Sequence, residues 1–229
     1  MKLKGKHSSL KLVLFLSAVS LATVGFSAWI INGSISDDNT TISFSVGDVT
    51  DNSIAVNIID TTNNSIAFDS NVNGGTGIFK GDGDKEDMDF SVKYKVTSGM
   101  PFDSTSGNVK ISYTYSNDFE GIKGLSNSNG KQFIDTSCLN VANYTLDGTT
   151  TSFQNSAITV EYNENKTIAT VTHTWTFKWG SAFNSDNPCN ITSDPDGTYA
   201  ESLRTFVSAA KTAMTSKTFT ITITPSFTA

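Results

Sequence analysis

The sequence predicts a mainly β protein: two antiparallel sheets packed as a sandwich, with one amphipathic helix late in the chain. Three observations carry this. Apolar residues alternate with polar ones over six short segments, the period of half-buried strands. Clusters of Gly, Asn, Asp and Ser separate those segments. A single stretch near the C-terminus changes to helical spacing.

The chain opens with Lys2, Lys4, Lys6 and Lys11, and no charge follows from Leu12 to Ile31. Leu12-Val13-Leu14-Phe15-Leu16 is strongly apolar, and the small residues Ser17, Ala18, Ser20, Ala22, Gly25, Ser27 and Ala28 come after it. A basic start, an apolar middle and a small-residue end read as a secretory signal helix over residues 1–28. Cleavage is expected after Ala28, leaving Trp29 first. A cut after Ser27 stays open, because Phe26 at the −3 position is not small. The other reading is an uncleaved anchor, since the uncharged run is long enough to span a bilayer. That segment is the only expected contact with a membrane.

Residues 29–229 are expected to form one β-sandwich domain with a helical insertion at about 198–214. Its strands are marked by Ile54, Val56 and Ile58; by Phe90, Val92, Tyr94 and Val96; by Val109, Ile111, Tyr113 and Tyr115; and by Ile158, Val160 and Tyr162. The longest set is Ala169, Val171, His173, Trp175, Phe177 and Trp179, backed by Thr170, Thr172, Thr174 and Thr176. A last set is Phe219, Ile221 and Ile223. Asn163-Glu164-Asn165-Lys166 is placed to close a hairpin between the fourth and fifth sets. Leu203, Phe206, Val207, Ala210 and Met214 recur at helical spacing, so Thr198–Met214 is expected as a helix laid over the sheet. Thr198 and Glu201 fit a capping box at its start.

The formal charge is −6 over 229 residues, and falls to about −10 without residues 1–28. Such a surface repels phosphate backbones, which argues against a nucleic-acid partner. Phe 15, Tyr 6 and Trp 3 supply too much large apolar surface for a disordered chain.

Few residues offer chemistry. His7 lies in the basic leader. His173 sits on the apolar face of a strand, where a core histidine is the simpler reading. With one histidine beyond the leader, an H-E-x-x-H zinc site is excluded, and no G-x-S-x-G elbow presents a serine. No catalytic residue is therefore assigned. The acidic loop Asp82-Gly83-Asp84-Lys85-Glu86-Asp87 could hold Ca²⁺ through Asp82, Asp84 and Asp87, although Asp87 stands where an EF-hand loop needs Gly. Solvated loop carboxylates are the alternative, there and at Asp194-Pro195-Asp196-Gly197. No other cofactor is expected. Cys138 and Cys189 are either one disulfide, as export permits, or two free thiols. Tyr94, Tyr113, Tyr115, Trp175 and Trp179 are either core or a sugar-stacking platform, and their strict alternation favours core.

Gly25-Phe26-Ser27-Ala28-Trp29, Thr41-Ile42-Ser43-Phe44-Ser45-Val46-Gly47-Asp48-Val49, and Gly83-Asp84 followed by Asp89-Phe90-Ser91-Val92 resemble the TasA/camelysin family of exported bacterial proteins. The resemblance covers about residues 20–95. It implies processing by a signal peptidase of the SipW type, which also accommodates Phe26 at −3. It implies a jelly-roll-like sandwich, secreted or on the cell surface, sometimes polymerising into matrix fibres by passing an N-terminal strand into the next subunit. Here that strand includes Ile42 and Phe44. The expected function is thus structural and non-enzymatic. A surface adhesin or glycan-binding module is the alternative, and a camelysin-like metalloprotease a weaker one, since no zinc ligand set is recognisable.

Overall fold

The computed structural model describes residues 41–47, 53–62, 88–215 and 217–228. The leader with Ala28 and Trp29, and the acidic loop with Asp82, Asp84 and Asp87, lie outside the described residues. The chain is mainly β. In order, it forms β1 (Thr41–Val46), β2 (Ile54–Thr62), β3 (Asp89–Ser98), β4 (Val109–Tyr115), a short helix α1 (Asp118–Lys123), β5 (Ile134–Asp135) and β6 (Asn143–Leu146). Then follow β7 (Ser152–Phe153), β8 (Ile158–Tyr162), β9 (Ile168–Thr176), β10 (Lys178–Trp179), helix α2 (Thr198–Met214) and β11 (Thr218–Phe227).

Two sheets dominate. One has the strand order β1-β11-β4-β6, the other β2-β3-β9-β8-β7, and β10 pairs with β5 in a separate ribbon. All six alternating sets of the sequence form strands in these sheets, the fifth only as far as Thr176. β3 shows why: Phe90, Val92, Tyr94 and Val96 are all at most 1% exposed, while Asp89, Lys93 and Lys95 on the other face reach solvent. A half-buried pleat needs that alternation. The hairpin between β8 and β9 forms at Asn163–Lys166 as the sequence suggests. The Asn163 side chain accepts from the backbone N–H of Thr167 and of Ile168, both at 2.9 Å, which fixes the turn.

Side chains from the two sheets share one core. The Tyr94 hydroxyl, from β3, meets those of Tyr113 on β4 (2.8 Å) and Tyr144 on β6. Tyr113 also packs edge-on against Trp175 of β9, with ring centroids 5.5 Å apart.

Four expectations need correction. First, pairing is antiparallel except at β1, which runs parallel to β11. The two segments are far apart in sequence, so no tight turn dictates their relative direction. Second, the alternation from Ala169 to Trp179 is not one strand. It stops at Thr176, and Lys178-Trp179 pairs instead with Ile134-Asp135. Gly180 ends the ribbon against the Gln132 backbone, where a Cβ would stand 2.4 Å from the carbonyl oxygen. Third, α2 spans the expected residues, but Phe206 rests on an aromatic group outside the two large sheets: Phe133 and Trp179 at 5.4 Å, and Phe183 at 6.3 Å. Fourth, the capping box does not form. Gly197 is the N-cap residue, in the left-handed region and without a side-chain cap. The free N–H groups are satisfied from upstream: Asp194 accepts from Tyr199 (3.1 Å) and Ala200 (2.9 Å), and Asp196 from Thr198 (3.1 Å). Glu201 pairs with Arg204 instead, at 3.0 Å. The acidic turn read as an ambiguous calcium candidate is thus a helix cap.

Candidate functional site

The first strand occupies the most distinctive position in the fold. It lies at the edge of its sheet, hydrogen-bonded among the described residues only to β11, with Ile42 opposite Phe219, Phe44 opposite Ile221 and Val46 opposite Ile223. Its inward residues follow the strand period. Ile42 is 2% exposed, and Phe44 is half-buried with its ring 5.8 Å from that of Trp175. On the outer face a hydroxyl ladder matches the threonines of β11: Ser43 with Thr220 and Ser45 with Thr222, each at 3.0 Å. The strand ends at Gly47, whose N–H donates to the Ile223 carbonyl at 2.8 Å. A side chain there would collide with Thr224, since a Cβ would stand 2.3 Å from its Oγ1.

These contacts make a slot with an apolar floor and a polar rim. Burying an Ile of this kind is worth about 1.5–3 kcal/mol, and six residues of ladder add to it. Sequence reasoning named Ile42 and Phe44 only through the family resemblance. It missed their partners Trp175 and Phe219, because nothing local links residue 44 to residue 175.

Trp175 connects the slot to the interior. Its ring stacks on Phe90 (5.4 Å) and on His173 (3.5 Å), and its Nε1 donates to the Tyr115 hydroxyl at 3.1 Å. His173 is 1% exposed, and neither ring nitrogen has a hydrogen-bond partner. Burial alone holds its pKa down from 6.5 to about 3, so the ring is neutral at pH 7. An imidazole sealed in this way reaches no substrate.

The remaining candidates fall as follows. Tyr94, Tyr113, Trp175 and Trp179 are buried and Tyr115 is half-buried, so they are core and form no platform for sugar. Cys138 and Cys189 are free thiols, not a bridge. Each sits in its own short 3-10 turn, Ser137–Asn140 and Pro188–Asn190. Burial pushes the Cys138 thiol up to about 12, with the Asp135 carboxylate adding to the shift, so it is a poor nucleophile. Among the described residues no three His, Cys, Asp or Glu side chains come together to hold a metal.

Open recesses among the described residues include two. One, of about 430 Å³, is lined by Asp89, Phe177, Lys178, Trp179 and Asp186 among others. The other, of about 610 Å³, runs along α2 past Arg204, Ser208, Ala209 and Thr212. Neither is lined by His173 or a thiol. Among the described residues no helix is long and apolar enough to cross a membrane. No protein-family model, no curated protein and no solved structure matches this chain.

Proposed function

We propose that this chain is an exported structural protein of the cell surface or extracellular matrix, built as a jelly-roll-like two-sheet sandwich, whose copies assemble by exchanging β1. Export rests on the basic and apolar leader ending near Ala28, with a signal peptidase as its first partner. The observation that carries the assembly reading is the situation of β1. Among the described residues it is an edge strand hydrogen-bonded to β11 alone, yet it supplies Ile42 to the core and Phe44 to Trp175. A copy whose β1 has left exposes an unpaired β11 ladder and an apolar groove, and the same strand from another copy satisfies both. Head-to-tail exchange whose rotation does not close into a ring gives fibres.

The test is size-exclusion chromatography and electron microscopy of protein beginning at Trp29. Filaments are expected, lost on deletion of residues 29–47 and shortened by an excess of a synthetic peptide of residues 41–47. Monomers under all these conditions, indifferent to the peptide, would overturn the reading.

A further inference from the structure

His173 is the one histidine among the described residues, and the neighbours that pack on it there are uncharged. On its own strand, Trp175 stacks on it at 3.5 Å. From β4, Tyr113 meets it edge-on at 4.8 Å. Val92 on β3 and Ile158 on β8 are its cross-strand neighbours. The nearby hydroxyls belong to Tyr113 itself, to Tyr94 on β3 and Tyr144 on β6, which bond to one another, and to Tyr115 on β4, which bonds to Trp175. Burial pushes all four tyrosines further up from an already alkaline range, so none carries negative charge in acid. Among the described residues a protonated imidazole in this place has no counter-ion and no acceptor, and it must reach water.

Among the described residues, the edge strand β1 offers an exit. β3, β8 and β9 are each paired on both sides within the five-stranded sheet, whereas β1 is an edge strand held on one side. The ring covering His173 is Trp175, and Trp175 rests on Phe44 of β1. Removing β1 uncovers Trp175, and through it the imidazole, without breaking a buried side-chain hydrogen bond, whereas β6, at the other end of the β1 sheet, is tied in by the buried Tyr144–Tyr94 hydroxyl bond.

We infer that His173 is an acid-sensing latch on the first strand: proton uptake selects the state in which β1 has left its slot, so that acidification starts its exchange between copies. The inference rests on the strand-exchange reading above and adds its regulation. The sign follows from burial. The folded pKa lies below the open-state value, so the closed state loses ground as pH falls from 6.5 towards 3. Between pH 7 and pH 4.5, one such group shifts the closed-to-open ratio roughly 70-fold.

Hydrogen exchange of the full chain, corrected for intrinsic rates at each pH, tests this. Segment 41–47 is expected to be less protected than segment 89–98 at pH 7, and to lose protection roughly 70-fold by pH 4.5. In His173→Leu the loss should shrink to less than about threefold, and His173→Gln provides the same comparison if the leucine variant does not fold. Equal protection of both segments at every pH, or the full acid response in the variants, would overturn the latch. Chromatography of the same samples keeps the two ideas apart. Acid-dependent opening without any oligomer removes strand exchange and leaves the latch standing. Oligomers that form without acid-dependent opening remove the latch alone.

Discussion

The hydroxyl of Tyr94 on β3 lies 2.8 Å from that of Tyr113 on β4 and also bonds to Tyr144 on β6, so one buried oxygen ties the five-stranded sheet to two strands of the other. Tyr94→Phe keeps the ring and removes this junction. It is expected to cost about 1–3 kcal/mol, because two buried hydroxyls lose their shared partner. Urea denaturation measures this, and a change below about 0.5 kcal/mol would show that the network contributes nothing net.

The same burial makes a prediction about alkali. Tyr94, Tyr113, Tyr144, Tyr115 and Tyr162 are all pushed upward by burial, Tyr115 and Tyr162 to about 12. A raised folded pKa leaves stability intact below the unfolded value near 10 and erodes it as pH rises beyond. Melting temperature should therefore fall steeply above pH 10, and less steeply in Tyr94→Phe.

Gly47 closes the β1 slot by close approach to Thr224. Gly47→Ala is expected to weaken docking of the strand by about 1–3 kcal/mol, seen as lost protection of segment 41–47 in hydrogen exchange. Adding Thr224→Ala, which removes the clashing oxygen, should restore most of it. Failure of that second change to help would place the cause in the backbone.

The start of α2 separates two capping schemes. Asp194→Ala removes an acceptor from the N–H groups of Tyr199 and Ala200 and should cost about 0.5–2 kcal/mol. Glu201→Ala, which touches only the exposed Arg204 pair, should cost less than about 0.5 kcal/mol. The reverse order in thermal melts would reinstate the capping box.

Cys138 and Cys189 are unbridged, so reductant should leave the melting temperature unchanged. With Cys138 pushed up to about 12 by burial, native protein at pH 7 should react with iodoacetamide far more slowly than a free cysteine. A melting point that drops several degrees in reductant would mean the two are bonded.

The amino-acid order by itself marked β2, β3, β4, β8, β9 and β11 as strands and showed which face of each is apolar. Phe90 to Val96, Val109 to Tyr115, Ile158 to Tyr162 and Phe219 to Ile223 are legible because alternation is local and the pleat converts it directly into an inside and an outside. The span of α2 was legible for the same reason. The shortest pieces were not: β5, β7 and β10 have two residues each and α1 six, too few to display a period. Tertiary structure alone decided who pairs with whom. The Ser43–Thr220 contact joins residues 177 apart, and neither its parallel sense nor the meeting of Phe44 with Trp175 is written in any local window. The alternation through Trp179 is just as regular as that before Thr176, yet the chain divides there, because Gln132 and Phe133 offer Gly180 a closer partner. Periodicity reports only that a side chain prefers shelter; which neighbour provides it depends on how distant segments pack once the chain has closed.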